Sequence, residues 1–151
     1  MGTAKGTRII AGIIAVSLLA ILVYAFQDKY SDDARLAEVI ATYFDETDRL
    51  VVAVMLHNAD GEFTKANGHI ELIIWNSRGT EVYSGGYDFT KDDFVTLDNI
   101  FLGKQRGVPI VIDQRFPGKS YSGEEYHVFA FMELKSGRLS ERLETTFRSY
   151  E

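Results

Sequence analysis

The chain has 151 residues, with 16 Lys and Arg against 22 Asp and Glu, a formal net charge of −6 and no cysteine. The acidic balance argues against nucleic acid and against an anionic membrane surface as partners, because both are met by clustered Lys and Arg. Without cysteine there is no disulfide, no thiolate nucleophile and no thiolate metal ligand.

The first element is apolar. Between Arg8 and Asp28 the chain is uncharged from Ile9 to Gln27 and apolar up to Phe26, broken only by polar Ser17. As a helix this stretch is about 27 Å long, close to the thickness of a bilayer's hydrocarbon core. It exceeds the apolar region of a typical signal peptide, and no small-x-small cleavage site closes it. A retained transmembrane helix with ends at Ile9 and Phe26 is therefore expected. Lys5 and Arg8 flank its start with no acid before Asp28, which keeps the N-terminus cytoplasmic and sends the rest across the membrane as a signal-anchor. Gly12, Ala15 and Leu19 give the helix a small-residue face on which another membrane helix could pack. All 22 acidic residues lie beyond the anchor, so the exported part is the acidic part. The organisation read from this is a cytoplasmic segment (1–8), a transmembrane helix (9–27), a juxtamembrane linker (28–37) and one extracytoplasmic β domain (38–151). That domain is large enough to bury a core.

Next comes "SDDARLAEVIATYFDETD", which fits two structures. Leu36, Val39, Ile40, Tyr43 and Phe44 match helical spacing, with Ser31 as a cap. Val39–Phe44 is also rich in β-branched and aromatic residues, and "DETD" suits a hairpin turn. The balance favours a first strand over Glu38–Phe44, with room for a short helical turn before it. From Leu50 the pattern has period two. Leu50, Val52, Val54 and Leu56 share one face of "LVVAVMLH", and Ile70, Leu72 and Ile74 oppose Glu71, Ile73 and Trp75 in "HIELIIWN". "NADG" and "NSRG" offer turns. "TEVYS", "YDF", "FVTLDNIFL", "VPIVIDQRF", "EYHVFAFMEL" and "RLSERLETTF" continue the series. Pro109 and Pro117 are placed near strand ends, where neither breaks a central strand. Short strands at roughly 8–12-residue spacing predict a mainly β fold, an antiparallel β-sandwich.

"PGKSYSGEEYHVFAFMELKSGRLSERLETTF" resembles the last two strands of fibronectin type III and related immunoglobulin-like domains. Pro117-Gly118 stands for their turn, and Tyr126 precedes the alternating strand of Val128, Ala130 and Met132, or their alternates Phe129 and Phe131. The resemblance implies that the Tyr126 hydroxyl bonds backbone upstream and that Trp75, on an early strand, is buried. The paired cysteines of antibody domains are absent. A second resemblance concerns "AKGTRIIAGIIAVSLLAIL", which looks like the class III signal of archaeal pilins and archaellins. It implies cleavage after Lys5-Gly6 and self-assembly through the apolar helix. Arg8 departs from that pattern, because it would then enter a hydrophobic filament core. Archaellum stator proteins, with an uncleaved anchor and a β-sandwich, resemble the same layout.

Chemistry is thinly represented. His57, His69 and His127 are not at ligand spacing, and no Gly-x-Ser-x-Gly, phosphate loop or His-Glu-x-x-His occurs. The acidic clusters "DETD", "NADGE" and "YDFTKDDF" could offer oxygens to calcium, but Asp and Asn are also what turns require. Neither cofactor nor catalysis is expected. Tyr83, Tyr87 and Phe89, beside Gly85-Gly86, could form an amphipathic patch for a partner, or else belong to the core. The function expected is a non-enzymatic binding or accessory subunit held in a lipid bilayer, meeting a protein partner in the membrane or cell envelope. The alternative is a pilin-like or archaellum-associated subunit.

Overall fold

The computed structural model describes residues 33–99, 103–119 and 122–150. The helix expected over 9–27, with Ile9, Phe26, Gly12, Ala15 and Leu19, lies outside them, as does the Lys5-Gly6 pair. Among the described residues no helix is long and apolar enough to cross a membrane.

The described chain is β throughout, apart from one 3-10 turn at Lys91–Asp93. Its strands are β1 (Leu36–Phe44), β2 (Arg49–His57), β3 (Gly68–Trp75), β4 (Glu81–Phe89), β5 (Val95–Asn99), β6 (Gly103–Asp113), β7 (Glu124–Leu134) and β8 (Ser140–Ser149). They form two four-stranded antiparallel sheets, in the orders β1-β2-β6-β5 and β4-β3-β7-β8. The chain passes between sheets after β2, after β4 and after β6, so hairpins alternate with crossings.

The ambiguous segment before Asp45 is strand β1, paired along its whole length with β2 from Leu36↔His57 to Phe44↔Arg49. Period two puts Val39, Ala41 and Tyr43 toward the core. A helix would forgo that ladder. "DETD" makes the hairpin turn, with Asp48 in the left-handed region at φ 48 and the Thr47 N–H donating to the Phe44 carbonyl at 3.1 Å. The runs "TEVYS" and "YDF" form one strand, β4, that continues through Gly85-Gly86.

Pro109 is inside β6, opposite Ala53, rather than near a strand end. The proline is tolerated because β2 pairs with Val108–Asp113 while β5 pairs only with Gly103–Gly107. Around Pro109 the ladder is thus one-sided, and a missing N–H on the other side breaks no hydrogen bond.

The core lies between the sheets. Leu50, Val52 and Val54 of β2 sit in register with Ile112, Ile110 and Val108 of β6. Across from them, Ile70, Leu72 and Ile74 of β3 align with Met132, Ala130 and Val128 of β7. The named residues of β2, β3 and β7 are fully buried, and those of β6 nearly so. Burial of each large side chain contributes roughly 1.5–3 kcal/mol. An aromatic group closes one end. The Phe116 ring meets Tyr43, Tyr126 and Phe147 edge-on at 5.4, 5.3 and 5.1 Å, while Tyr126 and Phe147 stack at 5.1 Å. The Tyr126 hydroxyl donates to the Pro117 carbonyl at 2.7 Å. This is the upstream backbone bond expected for that residue. Ser149, buried at the same end, donates its hydroxyl to the Phe116 carbonyl and lies 3.2 Å from Asp45 Oδ1.

A candidate binding face on the β4-β3-β7-β8 sheet

β3 and β7 are central strands, and both are apolar on their two faces. Their even-numbered residues fill the core. Their odd-numbered residues therefore face outward: Ile73 and Trp75 on β3, Phe129 and Phe131 on β7. The register sets Ile73 beside Phe129 and Glu71 beside Phe131. The Trp75 and Phe129 rings meet edge to face, with centroids 5.1 Å apart. Trp75 is 39% exposed and Phe131 48%. The expectation of a buried tryptophan is therefore corrected. Residue 75 falls on the odd, outward phase of β3, and Ile74 takes the core position.

Charged groups ring this apolar centre. Arg142 on β8 lays its guanidinium over the Phe129 ring at 4.8 Å, a geometry in which the cation meets the negative face of the ring. Arg148 contacts Glu125 at 3.3 Å. His127 lies 3.9 Å from Glu125 and 3.8 Å from Glu144, and His69 Nδ1 is 2.9 Å from Asp88 Oδ1. Glu71 and Glu133 complete the ring and, among the described residues, form no ion pair.

The opposite sheet also shows apolar residues outward, including Phe44 and Val111 at 48% and 47% exposure. Among the described residues it has no aromatic pair there, and the Arg49–Asp113 ion pair at 2.8 Å lies at one margin.

Of the two readings of Tyr83, Tyr87 and Phe89, outward patch or core, the register of β4 against β3 agrees with the core. Residues 83, 85, 87 and 89 of β4 share the inward phase, opposite Ile74, Leu72, Ile70 and Gly68. Phe89 is 2% exposed and belongs to the core. Tyr83 and Tyr87 are half-buried, pack against the core and hydrogen-bond to each other through their hydroxyls. The Tyr83 ring covers Gly85, where an added Cβ would come 2.6 Å from its hydroxyl. Burial, and then the bond to Tyr87, push the Tyr83 phenol up to about 12. Beside Tyr87 and Phe89 a groove of about 320 Å³ runs along Val108–Val111 of β6.

The other groups weighed from the sequence do not come together. His57 ends β2, while His69 and His127 occupy opposite ends of the β3–β7 ladder. Among the described residues no group of three or more His, Asp or Glu could hold a metal. The acidic clusters serve their own loops. Asn58 Oδ1 accepts from the Asp60 and Glu62 N–H groups at 3.0 and 2.9 Å. Asp93 Oδ2 accepts from the Thr90 N–H and hydroxyl at 2.7 and 2.8 Å, and these bonds hold its carboxyl below the usual range. Asp48 accepts from the Tyr43 hydroxyl at 3.2 Å. A second cleft of about 300 Å³, between Asp45, Asp48 and Arg115, is built from these same groups.

No protein-family model matches the chain, and no curated protein matches it in sequence. Solved structures that it resembles include the Parabacteroides merdae β-glucuronidase. One structure of that protein, with glycerol in its active site, is 10% identical at a TM-score of 0.39, over 74% of this chain. Another is 9% identical at 0.40, over 76% of this chain. In both cases the match spans 13% of the glucuronidase chain.

Proposed function

We propose that the chain is a membrane-anchored, extracytoplasmic module of immunoglobulin or fibronectin type III kind. It would bind a protein partner in a membrane or cell-envelope assembly through the outer face of the β4-β3-β7-β8 sheet. The observation that carries this reading is the aromatic centre of exposed Trp75 and Phe131 with half-buried Phe129 between them, inside a charged ring. An apolar centre that excludes water, bordered by polar groups that set orientation, is the usual anatomy of a protein interface. The immunoglobulin-like part is supported by strand order. With the strands lettered in chain order, β1-β2-β6-β5 corresponds to A-B-E-D, and β3-β7-β8 to C-F-G with β4 added at the edge. The Tyr126–Pro117 bond fits the tyrosine corner of such domains. The anchor rests on the uncharged run Ile9–Gln27.

Two measurements test the reading. A photoreactive amino acid at position 131, in cells expressing the full chain, should yield a discrete crosslinked adduct that Phe129→Ala abolishes and that position 111 does not give. Equal crosslinking from both positions, or none from 131, overturns the binding face. For the anchor, the intact chain should fractionate with membranes and need detergent for release. The second reading, a filament or stator subunit, rests on Lys5-Gly6 preceding the apolar run. N-terminal mass determination separates its filament form, because cleavage removes the first six residues.

A further inference from the structure

The charge around the aromatic centre points to the chemistry of its occupant. Two arginines lie on this face: Arg142, the β8 neighbour of Phe131, keeps its charge while lying over the Phe129 ring, and Arg148 is paired with Glu125. The carboxylates exceed them. Glu71 is the cross-strand neighbour of Phe131, Glu144 is that of Phe129, and Glu133 lies two residues beyond Phe131 on the same face. The apolar centre is therefore bordered by Glu71 and Glu133, which among the described residues form no ion pair, and by Glu144, which has His127 at 3.8 Å. A partner that desolvated Phe131 while bringing its own carboxylates to this ring would meet like-charge repulsion in a region of lowered dielectric.

We infer that the face takes a cationic polypeptide segment, with Lys or Arg on either side of an apolar side chain. The inference rests on the binding reading above and specifies the occupant. The apolar side chain packs on Phe131 and Trp75. The flanking cations reach Glu71 and Glu133 on one side and Glu144 on the other, their aliphatic stems lying over the rings. Residues 129 and 131 of one strand are about 6.6 Å apart. The centre thus spans several residues of an extended peptide rather than a single cation.

Trp75 is the only tryptophan of the chain, so its fluorescence reports occupation of this face directly. The full chain in a neutral detergent is titrated with acetyl-Arg-Leu-Arg-Leu-Arg-amide and, in parallel, with acetyl-Glu-Leu-Glu-Leu-Glu-amide. The basic peptide should shift Trp75 emission to the blue in a saturable way, and the acidic peptide should not. Raising salt from about 50 to about 500 mM should weaken binding about tenfold, as the charges are screened. Glu71→Gln combined with Glu133→Gln should weaken it about fivefold or more, whereas Phe131→Ala should remove the response. Equal responses to both peptides, or no loss on removing the two carboxylates, overturn the cationic assignment and leave the face as a binding surface. If neither peptide moves Trp75 emission the assignment also fails, while crosslinking from position 131 decides the binding reading separately.

Discussion

The hydroxyl of Tyr126 donates to the carbonyl oxygen of Pro117 at 2.7 Å, fastening the entry of β7 to the segment that crosses between the sheets. Around that bond the Tyr126 ring stacks on Phe147 and meets Phe116 edge-on. One residue thus holds two layers together by two kinds of interaction, and substitution separates them. Tyr126→Phe keeps the ring and loses only the bond, so it should cost about 1 kcal/mol. Tyr126→Ala loses the packing as well and should cost roughly 3–5 kcal/mol. Urea unfolding followed by far-UV circular dichroism gives both values. A Phe variant as damaging as the Ala variant would mean that the hydrogen bond, not the packing, carries the corner.

Gly68 is required by close approach. A Cβ there would come 2.6 Å from Phe89 Cζ and 2.8 Å from the Glu133 carbonyl oxygen. Gly68→Ala should destabilise by about 1–3 kcal/mol through overpacking. Because part of the clash is with a side chain, the loss should shrink in a Phe89→Leu background. A double-mutant cycle by chemical denaturation measures that coupling.

The Tyr83 phenol, held at about 12 by burial and by Tyr87, predicts a change of stability in alkali. An unfolded tyrosine loses its proton near 10. Between these values the folded chain keeps a proton that the unfolded chain has released. The stabilisation is whole below about pH 10 and declines as pH rises from there through about 12. Tyr83→Phe should flatten that part of the curve and remove the latest phenolate from an absorbance titration. A set in which every phenol is half-ionised near pH 10 would contradict the geometry of the pair.

The outer face and the core should separate in a stability assay. Phe131→Ala, at a position 48% exposed, should change stability by less than about 0.5 kcal/mol. Leu72→Ala, at a fully buried position, should cost about 2–5 kcal/mol. If Phe131→Ala costs as much as Leu72→Ala, residue 131 holds the domain together and is not a spare surface for a partner.

The two-sheet fold was legible because its strands obey one rule. Alternation at Leu50–Leu56 and Ile70–Ile74 assigned inward residues that prove fully buried. Tyr126 was readable through the Pro-Gly turn before it. The exposed aromatic face was harder to see, because β3 and β7 read as apolar on both faces. Two strands of that kind that pair with one another, within a two-layer fold, must leave one apolar set outside. A buried Trp75 was implied only by the resemblance to immunoglobulin-like domains, whereas alternation alone already set it on the phase opposite Ile74. Tyr83, Tyr87 and Phe89 were readable either as a surface patch beside Gly85-Gly86 or as core. Pairing with β3 fixes all three on the inward phase. Which sheet a strand joins is set by contacts distant in sequence, and local pattern carries no record of them.

The aromatic end of the core draws Tyr43 from the first strand, Phe116 from a crossing segment and Phe147 from the last. β8 follows β1 to β7 in the chain, so a nascent chain carrying only those seven strands lacks both Phe147 and the hydroxyl of Ser149. Such a chain cannot close this end, because the Phe116 and Tyr126 rings lack the partner that packs against both. Synthesis must pass β8 before the domain can lock.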